Sequence, residues 1–393
     1  MIYPILLLCA CSFGLSCILT WVIKRVAVRV GFVDKPGGRK IHANPKPLGG
    51  GIAIFWALLI PILAGLAEAN FLSEPPLWLQ TTSFVEKVLA HDPTANNPAA
   101  DKLPAYWSGI RQQTPLALAL LMATLAMHVM GLIDDRKALG PYVKLAVQLA
   151  VTTALVVPFQ SLRTLTAIDH LLHTGGALPI ILSVLWITAV TNAFNFLDNM
   201  DGLSAGVAAI SSAAFLATTL TMPSPQWFVA AVLAALVGAL AGFLCFNFAP
   251  ASIFMGDSGS LTIGFLLGVL TVRTQYLRPG ETLAAGWYAV FAPIIVLAVP
   301  LYDLLVVSAL RISRGKSPFV GDTNHFSHRL VARGMSRRTA VLCLYLITAT
   351  TSLAAILLPH VHSTLAAVLI FTQTLLILGV VMLLEQHPLP GQT

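Results

Sequence analysis

Charge is what this 393-residue chain has least of: Asp, Glu, Lys and Arg together make up 10% of it, against roughly 25% in soluble globular domains. With 57% hydrophobic residues and a mean hydropathy of +0.82, that scarcity excludes a disordered chain and a water-soluble multidomain enzyme. Cysteine is sparse too. The five (Cys9, Cys11, Cys17, Cys245 and Cys343) are odd in number and lie in apolar runs. That suits neither a disulfide framework nor a metal cluster, and they read as small helix-packing residues. A positively charged leader is also missing: Lys24, Arg25 and Arg29 follow the first apolar run rather than precede it. That order is expected of a retained first helix with its N-terminus outside, not of a cleaved signal peptide.

What is abundant is apolar sequence of spanning length. Runs fall at 2–23, 49–69, 114–133, 141–158, 178–195, 203–222, 226–247, 259–275, 285–310, 338–358 and 363–384. At about 20 apolar residues per crossing, they predict an all-α polytopic membrane protein of about eleven transmembrane helices, N-terminus outside and C-terminus inside. The whole chain, 1–393, then forms one integral membrane unit, with the polar, proline-bearing 71–113 segment as an external insertion loop. On that topology only Lys87, Lys102, Arg111, Arg163, Arg273 and Arg278 lie outside, and the other 17 of the 23 Lys and Arg lie inside. This is the positive-inside pattern. It accounts for the net charge of +7 with no nucleic-acid partner.

Five of the sixteen acidic residues fall in three short motifs abutting apolar helices, all on the predicted inner face. Ionisable groups beside membrane spans are costly and are functional candidates by default. In GLIDDRKALGPYVKLAVQ, Asp134 and Asp135 end one helix and Lys144 lies near the start of the next. Adjacent carboxylates can hold a divalent cation, or one can act as a base while the other binds metal. A charged loop with Asp–Arg pairing accounts for this motif equally well. In NAFNFLDNMDGL, Asn192, Asn195, Asp198 and Asp201 recur every three residues, an oxygen-rich surface suited to Mg²⁺ and to nucleotide contacts. Helix capping alone needs fewer such groups. In FNFAPASIFMGDSGSL, Asp257 is flanked by Gly256 and Gly259, so backbone N–H groups at a helix start could approach a phosphate. An ordinary N-cap turn is the plain alternative. Phe254 reads either as a base-stacking ring or as a lipid-facing one.

Two basic loops complete the inner face. Arg311, Arg314 and Lys316, with His325 and His328, could neutralise a pyrophosphate; the two histidines alone do not complete a zinc site, and a lipid-headgroup patch is the alternative. Asp303 reads as pairing with an arginine or capping polar contacts. Arg39, Lys40 and His42, among prolines and glycines, could hold a lipid phosphate or serve only as positive-inside anchors. An Mg²⁺-and-phosphate site on the cytosolic face suggests an enzyme joining a soluble phosphorylated donor to a lipid acceptor. A transporter would place its carboxylates near the midplane in broken helices with repeat symmetry, and neither is evident.

The motifs in combination resemble the polyprenyl-phosphate N-acetylhexosamine-1-phosphate transferases. DKPGGRKIH, DDRKALGPYVKLAVQ, NAFNFLDNMDGL, FNFAPASIFMGDSGSL and SPFVGDTNHFSH follow that family in order and spacing from about residue 34 to 335. The last segment is similar to the bacterial undecaprenyl-phosphate GlcNAc-1-phosphate branch and lacks the triple-His run of the muramoyl-pentapeptide branch. The resemblance implies transfer of a sugar-1-phosphate from a UDP-sugar to undecaprenyl phosphate at a bacterial cytoplasmic membrane, with release of UMP. It implies that Asp257 and Asn195 are Mg²⁺ ligands (Mn²⁺ as a substitute), that Asp134 is a base with Asp135 as its partner, and that Asp198 organises the metal site. Lys144 would bind phosphate, Asp201 would read the uracil and Phe254 stack on it. His325 and His328, with Arg314, would contact the sugar phosphate. Many relatives carry His-x-His-His where this chain has His325-Phe326-Ser327-His328, which leaves the donor sugar open between GlcNAc and another HexNAc. A homodimer is also left open.

Overall fold

The computed structural model describes residues 2–34, 45–76, 79, 103–164, 169, 173–276, 287–317, 324–361 and 363–386. Among these the fold is helical: α1 (Ile2–Arg29), α2 (Gly50–Phe71), α3 (Leu103–Arg136), α4 (Pro141–Val156), α5 (Ala177–Leu197), α6 (Leu203–Thr221), α7 (Trp227–Asn247), α8 (Asp257–Arg273), α9 (Ala292–Val296), α10 (Ala298–Ser313), α11 (Phe326–Ala332), α12 (Arg337–Leu357) and α13 (Thr364–Gln386). The one extended element is a two-residue antiparallel ribbon, β1 (Val33–Asp34) with β2 (Lys46–Pro47), Val33 facing Pro47 and Asp34 facing Lys46.

Among the described residues each predicted apolar run is largely helical, but the count of crossings by length and hydropathy is lower. Eight helices among the described residues are long and apolar enough to span a membrane, and a ninth if the pair Tyr288–Val296 and Ala298–Ser313 is taken as one span. That pair is bent by 71°. Pro300, three residues into α10, has no N–H to continue the ladder and its ring crowds the carbonyl four residues earlier. The runs that fall short are α4, with 16 residues, and α8, with 17. At the other extreme α3 begins at Leu103, eleven residues before its apolar run. Those first turns are polar, so hydropathy misses them; Arg111 there donates to the carbonyls of Ala69 (2.5 Å), Leu72 and Ser73 (3.1 Å) at the end of α2.

At the centre stands α8, buried from Ser258 to Thr271. Lipid tails are as apolar as leucine, so membrane helices associate mainly through close packing at small residues. Gly264 and Gly268 let α8 lie on the backbone of α5: a Cβ at Gly264 would sit 2.7 Å from Thr191 Cα, and one at Gly268 3.0 Å from Ile187 Cα. Gly238 and Gly242 of α7 do the same against α1, where Ser16 Oγ donates to the Ala239 carbonyl at 2.6 Å. The outer helices α1 and α13 leave most of their apolar surface exposed, the faces that lipid would cover.

Candidate active site

The carboxylate motifs meet at one end of the bundle, drawn together by backbone contacts. Lys46 Nζ donates to the Ala251 carbonyl at 2.6 Å, Phe254 N to the Pro47 carbonyl at 2.9 Å, and Gly50 N and Gly51 N to the carbonyls of Phe254 and Met255, both at 3.0 Å. The 251–255 segment is thereby laid along β2 and the start of α2, and it delivers Asp257 as the first residue of α8.

Asp134 and Asp135 end α3 with different partners. Asp134 closes the α3–α4 turn: Oδ1 accepts from Leu139 N at 2.8 Å, and Oδ2 from Lys144 Nζ at 3.1 Å. Lys144 reaches on to Asp257 Oδ2 at 2.9 Å. All three side chains are partly exposed, at 13–27%. Asp135 instead caps α8, Oδ1 accepting from Asp257 N at 2.7 Å and Oδ2 from Ser258 N at 3.1 Å. Gly256 permits this approach, since its φ is 77° and a Cβ would lie 2.6 Å from Asp135 Oδ2. The N–H groups of Gly259 and Ser260 turn to the Gly256 carbonyl. The expected phosphate cradle at the start of α8 is therefore not there, because its donors are consumed within the protein.

The same turn is clamped from a further side. His128, 2% exposed on α3, lies with Nδ1 3.0 Å from the Ser258 carbonyl, and its ring stacks on Phe55 of α2 at 4.4 Å. Gly131, almost one turn on, abuts Ser258 so closely that a Cβ would fall 2.4 Å from its Cα.

Next to this junction, Asn195 Nδ2 donates to Ser260 Oγ at 3.0 Å, which keeps its carbonyl oxygen for another partner. Asp198 follows the last residue of α5 and is half-buried. Burial, then the charges of Asp257, Asp135 and Asp201, push its carboxyl well above the usual carboxylate range. Asp201 Oδ2 accepts from Ala251 N at 2.8 Å, and Asn247 bridges Gly202 N (3.0 Å) to the Ile253 carbonyl (2.9 Å).

A second cluster borders the first. Asp303, fully buried on α10, binds His325 Nδ1 through Oδ2 at 2.8 Å and accepts from Phe326 N at 2.6 Å. His325 meets Phe196 edge-on at 5.8 Å, and the Arg311 guanidinium lies 5.0 Å from the same ring. Ser327 Oγ donates to Asn199 Oδ1 at 2.5 Å, tying this loop to the one carrying Asp198 and Asp201. Burial, then the positive potential of His325 and Arg337, hold His328 below the usual imidazole range despite Asp303.

Among the described residues no three His, Cys, Asp or Glu side chains converge as a ready-made cation site. The donor set nonetheless fits Mg²⁺, which binds through one or two carboxylates together with substrate phosphates rather than through an all-protein cage. Four carboxylates (Asp134, Asp135, Asp198 and Asp257) gather here around one ammonium.

A family model described as glycosyl transferase family 4 matches residues 117–275. Over 359 residues the chain is 30% identical to a probable undecaprenyl-phosphate N-acetylglucosaminyl 1-phosphate transferase of Bacillus subtilis (strain 168), covering 90% of this chain and 85% of that protein. This chain belongs to glycosyl transferase family 4, the polyprenyl-phosphate N-acetylhexosamine-1-phosphate transferases. A decaprenyl-phosphate N-acetylglucosaminephosphotransferase of Mycobacterium tuberculosis (strain ATCC 25618 / H37Rv) is 30% identical over 341 residues, covering 83% of this chain and 76% of its own. An undecaprenyl-phosphate alpha-N-acetylglucosaminyl 1-phosphate transferase of Escherichia coli (strain K12) is 25% identical over 360 residues, covering 89% and 83%.

In this family 4 transferase, Asp134, Asp135, Lys144 and Asp257 are in contact, Asn195 joins them through Ser260, and Asp201 holds the neighbouring 251 segment. Asn192 stands apart, its amide donating to Gln148 Oε1 at 2.7 Å and the Thr188 carbonyl at 2.8 Å. Phe254 is half-buried, with its backbone engaged on both sides. Arg314 is exposed at the end of α10 and makes none of these contacts, so it is not gathered with His325 and His328. Arg39, Lys40 and His42 lie outside the described residues. Sequence reading missed His128, Asn247 and the pairing of Asp303 with His325. A histidine in the middle of an apolar helix is a signal by the default for intramembrane ionisable groups; the other two need contacts far apart in sequence.

Proposed function

We propose that the protein transfers GlcNAc-1-phosphate from UDP-GlcNAc to undecaprenyl phosphate, releasing UMP, at the inner face of a bacterial cytoplasmic membrane. The observation that carries this reading is Lys144 held between Asp134 and Asp257 beside Asp198 and Asn195, in a chain whose relatives are named for that chemistry. The orientation is argued from the 17 inward Lys and Arg, with all eleven runs taken as crossings and the N-terminus outside; α4 and α8, at 16 and 17 residues, would then cross as short spans, which a locally thinned bilayer accommodates.

Chemically, an acceptor phosphate oxygen attacks the β-phosphorus of the donor and forms the new P–O bond. The bond from that phosphorus to the bridging oxygen breaks, and UMP leaves with the electron pair. Asp257 and Asp198, with the Asn195 carbonyl, are the side chains that would hold Mg²⁺ or Mn²⁺; the ion supplies charge neutralisation on the pyrophosphate. Lys144 contributes an ammonium to the phosphates, and Asp134 fixes its position. Asp135 holds the turn on which Asp257 rides and acts on geometry rather than on the reactants. His325, oriented by Asp303, and His328 serve the sugar-phosphate side. A phosphate monoester with a second pKa near 6 is largely dianionic at pH 7, so Asp134 need not remove a proton. Asp201 and Phe254 are assigned to the uracil.

The test is UMP release by the purified protein given undecaprenyl phosphate, Mg²⁺ and a panel of UDP-sugars. Turnover with UDP-GlcNAc that requires the divalent ion supports the reading. Absence of turnover with every sugar, alongside ion-coupled flux in liposomes, would replace it with a transporter.

A further inference from the structure

At the end of the bundle away from the carboxylates, a cavity of about 950 Å³ opens between the beginnings of α1, α3 and α7 and the ends of α2 and α8. That is near the upper end of the ~300–1,000 Å³ typical of ligand sites. Its walls are mainly apolar, with Ile5, Leu8, Leu66 and Val232 among them. Tyr106, Trp107 and Trp227 line it too, the aromatic types that gather at membrane–water interfaces.

Two charged side chains line it without an ion pair among the described residues. One is Arg273, in the last turn of α8, whose Nε is buried without a hydrogen-bond acceptor. Its amide neighbours offer no help: Gln226 Oε1 accepts from Gln275 N and Gln226 Nε2 donates to the Gln275 carbonyl, both at 2.8 Å. Glu68 lines the cavity as well but makes no ion pair with Arg273. The negative end of the α8 dipole offsets part of the cost of this charge, yet supplies no acceptor for the buried N–H. A guanidinium seeks a phosphate, which it can bind with two hydrogen bonds. Tyr106, Trp107 and Trp227 put this end of the cavity at the membrane–water interface, the level at which lipid phosphates lie.

We propose that this cavity is a glycerophospholipid site, with the phosphate diester on Arg273 and the acyl chains along the apolar walls of α1, α2 and α7. The ligand is thus an amphiphile, and neither half of it suffices alone. The site is separate from the transferase chemistry and does not depend on the reading of it.

The test uses the delipidated, purified full-length protein in detergent and follows thermal unfolding. Dioleoylphosphatidylglycerol is expected to raise the midpoint by a few degrees through preferential binding to the folded state. Dioleoylglycerol, with the same chains and no phosphate, and inorganic phosphate are each expected to leave it unchanged. Arg273→Gln should weaken the lipid response at least tenfold. Gly65→Leu should abolish it by filling the cavity, because a Cβ at Gly65 meets nothing within 4 Å. An equal shift with dioleoylglycerol or with inorganic phosphate overturns the proposal, as does a wild-type lipid response in Arg273→Gln. A larger shift with undecaprenyl phosphate than with the phospholipid, lost in Arg273→Gln, would make the cavity a substrate-lipid site and also overturn it. Should Arg273→Gln fail to fold, Gly65→Leu and the lipid comparison on the wild type still decide.

Discussion

Gly131→Ala adds one methyl group where α3 crosses the start of α8. The new Cβ would stand 2.4 Å from Ser258 Cα, 2.5 Å from its N and 2.6 Å from the Asp257 carbonyl carbon. Carbon pairs settle at about 3.5–4.0 Å, so one backbone has to retreat by roughly 1 Å. Neither has a flexible side chain to yield. Overpacking of this kind costs about 1–3 kcal/mol. The larger effect falls on chemistry: the displaced turn carries Asp257, and a misplacement of ~1 Å is worth on the order of 10²-fold in rate. Gly14→Ala is the control, since a Cβ there meets nothing within 4 Å and alanine favours a helix by up to ~1 kcal/mol over glycine. Both variants are assayed for UMP release at saturating substrates and for thermal unfolding. A Gly131→Ala protein with the turnover and midpoint of the wild type would refute the claim that this contact positions Asp257.

Asp257→Asn should abolish divalent-ion-dependent UMP release, whereas Asp134→Asn should only slow it; full activity of Asp257→Asn removes the metal assignment. Asp303→Asn takes a carboxylate oxygen from His325 Nδ1, a charge-assisted bond worth about 1.5–3 kcal/mol, so turnover should fall ten- to hundredfold. A rate within twofold of wild type would show that His325 needs no such orientation. His328 is held below the ordinary imidazole pKa, so the unfolded chain binds the extra proton first. Its contribution to stability is therefore present above pH ~6.5 and is lost as the pH falls below that value. Unfolding midpoints between pH 7.5 and 5.5 should drop more steeply for wild type than for His328→Gln, and equal slopes would be evidence against it.

Much of the helical layout could be read from hydropathy, because a membrane helix announces itself by a run of apolar residues. Where it misled, the physics was local. The first turns of α3 are polar and are held by Arg111 on the α2 carbonyls, a contact no window can register. The short α4 and α8 lie under runs of 18 and 17 residues, lengths at which hydropathy alone does not separate a crossing from a shorter packed helix. At the site, the motifs picked out acids that meet at one end of the bundle but could not tell their partners apart. Asp134 and Asp135 are adjacent in sequence, yet one faces Lys144 and the other the backbone of a helix more than a hundred residues away. His128 and the Asp303–His325 pair were invisible for the same reason, since their meaning lies in partners from other helices.

The wedging of α8 between α2, α3 and α5 has a consequence for how the protein responds to its surroundings. A carboxylate carried on a loop moves with the loop; Asp257 moves only if three helices shift together. Its accuracy is inherited from the compression of the bundle as a whole. Anything that slackens that compression, such as warming, a thinner bilayer or a short-chain detergent, should therefore lower turnover well before the helices come apart. Loss of activity would then be the earliest and most sensitive gauge of how tightly the membrane holds this protein.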